Sequence, residues 1–141
     1  MREKRTRKIY DVHAKVYDLT FGPLVEKRIK RAVRQLQVRE GDFILDLGVG
    51  TGQSLQWYPV DRGTVIGVDL SAGMLDKAAK KVSEKNLDRV RLVQTDALRL
   101  PFADNSFDHI FTSHTISVVS DPVAVVREMQ RVAKPVRGWW S

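Results

Sequence analysis

A glycine-rich turn between an apolar run and a helical segment is the feature that most constrains the fold of this chain. The run Phe43–Val49 leads into the turn, and Gly48, Gly50 and Gly52 occupy alternate positions after Asp46. Glycine lacks a Cβ atom, so such a turn lets a ligand approach the backbone at the start of the following helix. A strand, a glycine turn and a helix in this order predict a nucleotide-type pocket in an α/β domain.

An acidic residue at the end of the next apolar run supports the same pocket. Asp69 lies in the run Thr64–Leu70, 21 residues after Gly48, where a carboxylate accepts hydrogen bonds from both hydroxyls of a ribose. The glycines form G-x-G-x-G, whereas dinucleotide folds use G-x-G-x-x-G, with Gly or Ala at the position of Gln53. The pattern therefore disfavours NAD as the ligand. The alternative to a nucleotide-type pocket is a glycine-rich turn that binds no ligand.

Short apolar runs alternate with helical segments along residues 41–135. The apolar runs are Phe43–Val49, Thr64–Leu70, Val90–Gln94 and Phe107–Thr112, and the helical segments are Gln53–Tyr58, Ala72–Lys85 and Pro122–Ala133. This alternation predicts a Rossmann-like, doubly wound parallel sheet with helices on both faces. Ser71 and Asp121 are expected to cap the helices that follow them, and Asn86 to end the middle helix.

Composition excludes several kinds of protein and site. A chain of 141 residues with 43% hydrophobic and 29% charged residues suits one globular domain. The absence of cysteine excludes disulfides, thiolate metal sites and a cysteine nucleophile, and the three histidines are too scattered for a metal motif. No apolar run approaches the roughly 18 residues of a membrane-spanning helix, and no signal-peptide core follows the basic start. A cytoplasmic protein without a metal is therefore expected.

The excess positive charge lies entirely in the basic segment, residues 1–40. This segment carries 12 basic and five acidic side chains, a balance of +7 that equals the net charge of the whole chain. Apolar residues recur at helical spacing from Leu24 to Leu36, which predicts an amphipathic helix with a basic outer face. Such a face binds an anionic membrane surface or nucleic acid, or serves only as a solvated surface. Nucleic acid is the least expected partner, because no aromatic residues are interleaved with the cations.

Four stretches together resemble the class I S-adenosylmethionine-dependent methyltransferases, in the broad family of ubiquinone, menaquinone and phospholipid methylases. They are Ile44–Gly52, Val65–Met74, Gln94–Ile110 and Arg127–Pro135. The resemblance implies S-adenosyl-L-methionine as methyl donor and S-adenosyl-L-homocysteine as product. It divides the chain into a basic helical cap of residues 1–40, a cofactor-binding core of residues 41–135 and an atypical tail of residues 136–141.

The resemblance also implies which residues bind the cofactor. The glycine loop would carry the methionine part, Asp46 would attract its ammonium group, Asp69 would hold the ribose, and residues after the second and third strands would contact adenine. The implied cofactor-binding residues are Asp46, Gly48, Gly50, Thr51, Gly52, Asp69, Leu70, Met74, Asp96 and Ala97. Taken alone, Met74 is typical of core packing and Asp96 of a turn cap.

Two tyrosines and a histidine are the candidates for the methyl-transfer step. Transfer from a sulfonium needs mainly proximity and orientation, plus deprotonation of an ammonium acceptor. Tyr10 and Tyr17 lie in a segment similar to the one that covers the cofactor in soluble bacterial phosphatidylethanolamine N-methyltransferases, and their rings would stabilise the cation. His114 follows the fourth strand and would contact the acceptor or carry a proton. Packing for the tyrosines and a structural role for the histidine are the alternatives.

The acceptor class rests on the same resemblance. Amine-methylating DNA and glutamine enzymes carry an Asn/Asp-Pro-Pro-aromatic signature that Phe111–Thr115 lacks. Similarity of the N-terminal segment and of Ser117–Pro122 to phosphatidylethanolamine N-methyltransferases favours a phospholipid acceptor, with a quinone-type or other small molecule second.

The family pattern continues through Lys-Pro-Gly-Gly into further strands, and this chain departs from it at Val136. The departure predicts a sheet without the C-terminal strands of the family. An inactive cofactor-binding remnant with a basic lipid- or nucleic-acid-binding face is therefore a third possibility. An uncovered fourth strand would also favour a homodimer through residues 107–114, because open strand edges pair with other chains.

Overall fold

The computed structural model describes residues 22–112 and 120–135, in which helices cover both faces of a parallel sheet. The strands are β1 (Phe43–Leu47), β2 (Thr64–Asp69), β3 (Val90–Gln94) and β4 (His109–Thr112), and the α-helices are α1 (Gly22–Arg34), α2 (Ala72–Glu84) and α3 (Pro122–Val132). A single 3-10 turn, Leu55–Trp57, follows β1. The predicted doubly wound α/β sheet is confirmed.

The strand order β3-β2-β1-β4 places β1 inside the sheet, and all three neighbouring pairs are parallel. Leu45 of β1 pairs with Ile66 of β2 on one side and with Ile110 of β4 on the other. The chain runs outward from β1 to β3 and then returns to the far side of β1. At such a reversal the carboxyl ends of the strands open a crevice in which ligands bind.

Two buried apolar clusters hold the helices on opposite faces of the sheet. Ile44 lies in the first cluster and Leu45 in the second, because successive side chains of a strand point to opposite faces. The first cluster draws on α1, the 3-10 turn and α2, and includes Ile29, Val33, Leu55 and Ala78. The second draws on α3 and the segment before β4, and includes Leu100, Phe107, Val125 and Val132. Burial on both faces fixes the carboxyl end of β1, where the glycine loop begins.

The predicted starts of α2 and α3 are confirmed, and each helix ends one residue before the predicted end. The Ser71 side chain accepts a hydrogen bond from the backbone N–H three residues on at 3.2 Å, and Asp121 does the same at 3.1 Å, with Pro122 in the first turn of α3. A cap of this kind stabilises a helix by about 1 kcal/mol. α2 ends at Glu84, and Asn86 follows with a φ of 52°.

β1 and the helical segment after the glycine loop are shorter than predicted, each for a local reason. β1 ends at Leu47 because Gly48 turns the chain with a φ of 73°. The predicted helical segment Gln53–Tyr58 contains only one 3-10 turn, since the residue before Pro59 is forced away from helical conformation and Tyr58 is extended with a ψ of 142°.

The start of β4 takes part in a further parallel contact. The predicted strand begins at Phe107, but this residue instead forms an isolated parallel bridge with Ala133, which follows α3. Phe107 N donates to Val132 O at 2.9 Å, and Lys134 N donates to Phe107 O at 2.8 Å. The chain thus returns alongside β4 after α3 has crossed the second face. The homodimer expected through residues 107–114 stays a prediction.

α1 is amphipathic, as predicted. Ile29 and Val33 are buried in the first cluster, whereas Lys27, Arg28 and Arg31 are exposed. We refer to these three cations as the α1 basic face. Among the helices of residues 22–112 and 120–135, none is long and apolar enough to cross a membrane.

Candidate functional site

The glycine loop lies at the carboxyl edge of the sheet, at the reversal between β1 and β4. Gly48, Gly50 and Gly52 have φ values of 73°, 59° and 83°, in the left-handed region that glycine adopts readily. Gly48 N donates to Val68 O at 2.9 Å, which fixes the start of the loop on β2. Gly48 and Gly50 are half-exposed, while Thr51 and Gly52 are buried. The first two glycines therefore present the backbone that a ligand would meet.

The second and third glycines have different neighbours. A Cβ atom built on Gly50 would lie 3.5 Å from Met74 Sδ, an ordinary contact. A Cβ on Gly52 would lie 2.9 Å from Leu55 Cδ1 and 3.1 Å from Ala78 Cβ, which is too close. Gly52 thus allows the 3-10 turn and α2 to pack against the loop. Its contact with a cofactor stays a prediction.

Asp69 links the end of β2 to the glycine loop. Its Oδ2 accepts a hydrogen bond from Gly50 N at 2.9 Å, and its Oδ1 accepts one from Ser71 N at 3.0 Å. The residue is only 2% exposed. The carboxylate is therefore oriented by the loop on one side and by the start of α2 on the other.

Asp46, at the end of β1, is held by two hydroxyl groups. Ser54 Oγ and the Tyr58 hydroxyl donate to Asp46 Oδ2 at 2.5 and 2.8 Å. Burial raises the pKa of Asp46 to about 6, the two hydrogen bonds oppose the rise, and the charge of Asp69 adds to it. Burial, with the charge of Asp46, also holds the pKa of Tyr58 well above its ordinary value.

The two buried acids form a site suited to a cationic ligand. The charge of Asp69 raises the pKa of Asp46, so the two carboxylates repel each other at this edge of the sheet. A ligand with positive charge would offset both this repulsion and the cost of burial. S-adenosylmethionine carries an ammonium and a sulfonium, and its methionine part would lie on the half-exposed backbone of Gly48 and Gly50. The residues present fit the cofactor that the family resemblance implies.

The residues predicted to contact adenine surround the carboxyl ends of β2 and β3. Met74 and Ala97 are buried, and Leu70 and Asp96 are half-buried. Asp96 Oδ1 accepts a hydrogen bond from Leu98 N at 2.9 Å, the turn-cap geometry considered as its alternative. A role for these four residues at the adenine stays a prediction.

The three predicted catalytic residues, Tyr10, Tyr17 and His114, lie outside the described residues, and so does the tail of residues 136–141. Their roles stay predictions. The structure therefore describes the expected cofactor side of the site and not the residues expected at the acceptor.

Sequence reasoning missed the two hydroxyl residues that hold Asp46. Ser54 and Tyr58 are four residues apart and flank the 3-10 turn, so their hydroxyls reach the same carboxylate oxygen. That spacing, directly after the glycine loop, was the available signal. The Tyr58 ring also packs edge-on against Phe111 of β4, with centroids 6.4 Å apart, which ties the turn to the other side of the crevice.

Comparison with known proteins identifies the family. A family model described as "Methyltransferase domain" matches residues 45–136, which include the end of β1, the glycine loop, the other three strands and α3. The chain belongs to this methyltransferase family. The predicted class I S-adenosylmethionine-dependent methyltransferase is thus confirmed at the level of family, and S-adenosylmethionine is the methyl donor of this class.

Relatives similar to this chain carry two different substrate names. The phosphatidylethanolamine N-methyltransferase of Cereibacter sphaeroides is 41% identical over 120 residues, which cover 84% of this chain and 58% of the relative. The demethylmenaquinone methyltransferase of Lactobacillus johnsonii is 40% identical over 110 residues, 75% of this chain and 45% of that protein. The chain therefore spans less than two thirds of the length of these relatives.

A solved structure of a methyltransferase with a bound product adds to the comparison. Haemonchus contortus phosphoethanolamine N-methyltransferase 2, in complex with phosphomonomethylethanolamine and S-adenosylhomocysteine, is 28% identical with a TM-score of 0.74. The similarity covers 89% of this chain and 31% of that protein. The shared region is thus nearly all of this chain and a minor part of the larger enzyme.

Proposed function

We propose that this chain binds S-adenosylmethionine and takes part in methyl transfer to a membrane lipid, with the amine of phosphatidylethanolamine as the first candidate acceptor. The observation that carries the cofactor part is the pair of buried acids, Asp46 and Asp69, beside the half-exposed glycine backbone. The relatives of both substrate names act on lipids. The one named for phosphatidylethanolamine has the higher identity, 41%, against 40% and 32% for two relatives named for demethylmenaquinone.

The described residues supply binding and orientation. When bound, S-adenosylmethionine supplies the activated methyl group. Asp69 would hold the ribose hydroxyls, Asp46 the positive charge of the methionine part, and the turn after β3 the adenine. Holding donor and acceptor in line is the main requirement of this chemistry. The proton of an ammonium acceptor would pass to His114, in keeping with the role expected of it from the sequence.

The α1 basic face supports a lipid acceptor. Lys27, Arg28 and Arg31 point away from the core, and each cation near an anionic bilayer contributes about 1 kcal/mol to binding. α1 is also fixed to the site, since Lys30 Nζ lies 4.6 Å from the centroid of the Trp57 ring. Trp57 ends the 3-10 turn that follows the glycine loop. A membrane bound by this face would therefore contact the helix that packs on the turn after the glycine loop.

The first experiment measures cofactor binding and then methyl transfer. Isothermal titration with S-adenosylhomocysteine tests the site, and transfer of a labelled methyl group is then measured with vesicles that contain phosphatidylethanolamine or demethylmenaquinone. Labelled phosphatidylethanolamine supports the proposal, and labelled demethylmenaquinone alone supports the second candidate. Cofactor binding with no transfer to either supports the remnant, and a folded chain that binds no cofactor contradicts the proposal.

A second experiment tests the membrane surface. The triple variant Lys27→Gln, Arg28→Gln, Arg31→Gln should bind phosphatidylglycerol vesicles on the order of 100-fold more weakly than the unchanged chain, with a difference that shrinks in high salt. The matched control changes the exposed Arg62, Lys80 and Lys85 to glutamine. Equal losses in both triple variants would indicate attraction by net charge alone. Loss of binding to single-stranded nucleic acid in place of vesicles would favour the alternative partner.

A further inference from the structure

Arg131 of α3 uses all five of its N–H donors on Glu128 and on the segment between β3 and β4. Its Nε donates to Glu128 Oε1 at 2.7 Å and its Nη2 to Glu128 Oε2 at 3.0 Å. Nη2 also donates to Leu100 O at 3.0 Å, and Nη1 donates to Phe102 O at 2.8 Å and to Asp104 Oδ1 at 2.9 Å. Glu128 Oε2 accepts from Leu100 N at 2.7 Å. We call this pair the Arg131–Glu128 clamp.

The clamp differs from an ordinary surface ion pair. Exposed ion pairs contribute little to stability and have little geometric effect. Here both side chains are half-buried, with exposures of 32% for Arg131 and 19% for Glu128. The planar guanidinium fork fixes direction as well as distance. Because both backbone polar groups of Leu100 are bound, the clamp sets the position of that residue.

Leu100 is the far end of the turn that begins at Asp96. Asp96 Oδ1 accepts from Leu98 N at 2.9 Å, and Asp96 O accepts from Arg99 N at 3.1 Å. Ala97 and Leu100 are both buried in the second apolar cluster. The near end of the turn is therefore closed by its own hydrogen bonds, and the far end is held by α3.

We infer that the Arg131–Glu128 clamp determines the base selectivity of the cofactor site by positioning the Asp96–Leu100 turn. The inference rests on the proposed function, in which Asp96 and the Ala97 amide face the adenine edge. Arg131 and Glu128 act through the turn and are positioning residues. Adenine presents an amino donor and a ring-nitrogen acceptor, and hypoxanthine presents a carbonyl acceptor and an N–H donor. A correctly placed turn rejects hypoxanthine because buried polar groups would lose their partners.

The test compares two ligands that differ only in the base. Affinities for S-adenosylhomocysteine and S-inosylhomocysteine are measured by titration calorimetry for the unchanged chain and for Arg131→Lys, which keeps the charge but loses the fork. The unchanged chain should prefer adenine by about 10-fold or more. Arg131→Lys should reduce the preference to about 3-fold or less, mainly by weakening S-adenosylhomocysteine. Arg127→Lys, at an exposed position of the same helix, is the matched control and should keep the preference.

Several outcomes would overturn the inference. A folded Arg131→Lys chain with an unchanged preference overturns it, and so does an equal loss of affinity for both ligands, which a merely structural role would produce. If Arg131→Lys does not fold, Glu128→Gln replaces it, and an unchanged preference there overturns the inference as well. Failure of the unchanged chain to bind S-adenosylhomocysteine would instead overturn the proposed function itself.

Discussion

The Oδ2 atom of Asp69 accepts a hydrogen bond from Gly50 N at 2.9 Å, so the acid at the end of β2 holds the loop that follows β1. Two elements that are expected to bind different parts of the cofactor are thus connected directly. A loop held in this way loses less conformational freedom when a ligand binds, which favours affinity.

Asp69→Asn should weaken the binding of S-adenosylhomocysteine by about 10- to 100-fold, because an amide lacks the charge and one of the two acceptor oxygens. Isothermal titration measures the change. Asp76→Asn, at an exposed position on α2, is the control and should bind like the unchanged chain. Equal affinities for Asp69→Asn and the unchanged chain would contradict the assignment of Asp69 to the site.

Because the pKa of Asp46 is raised, ionisation of this buried acid should lower the free energy of unfolding. The unfolded chain loses this proton near pH 3.8 and the folded chain near 6, so stability from this group falls as the pH rises through that window. Asp46→Asn should therefore be more stable than the unchanged chain at pH 8, by up to about 3 kcal/mol, and should bind S-adenosylhomocysteine less tightly. Urea unfolding at pH 4 and pH 8 measures the difference. A loss of stability at pH 8 in the variant would contradict this account.

Tyr58→Phe should move the pKa of Asp46 further upward. The Tyr58 hydroxyl donates to Asp46 Oδ2 at 2.8 Å and lowers that pKa, so its removal favours the protonated acid. The ring that packs against Phe111 is kept. NMR titration of the Asp46 carboxyl carbon follows the midpoint, and a midpoint that moves down would show that the hydroxyl does not stabilise the carboxylate.

Local patterns predicted the fold better than they predicted the site. The short apolar runs and the turn residues between them predicted the approximate positions of all four strands. The helix caps at Ser71 and Asp121 were predicted from residue type alone. The contacts that orient the site are long-range: Arg131 binds a backbone oxygen 31 residues earlier in the chain. Contacts between residues so far apart produce no repeating pattern in a sequence, so the clamp was not predicted. The hydrogen bonds from Ser54 and Tyr58 to Asp46 depend on a 3-10 turn, whereas the sequence predicted a helical segment there.

Gly52→Ala and Gly50→Ala should separate stability from binding. A Cβ at Gly52 would lie 2.9 Å from Leu55 Cδ1, so Gly52→Ala should cost about 2–4 kcal/mol of stability from crowding and backbone strain. A Cβ at Gly50 has room, so Gly50→Ala should cost about 1–2 kcal/mol and mainly weaken S-adenosylhomocysteine binding. Thermal unfolding measures the stability of both variants, and calorimetric titration measures their affinity for S-adenosylhomocysteine. The reverse order of stabilities would contradict the packing role of Gly52.

The close packing at Gly52 bears on how such motifs diverge. Glycine is required at the third position by the close approach of the 3-10 turn and α2 to the loop, whereas the first two glycines are half-exposed. Selection for a new ligand would therefore act on the first two positions and leave the third unchanged. Among related proteins that share this fold, Gly52 should therefore be retained more often than Gly48 and Gly50, even in those that no longer bind the cofactor.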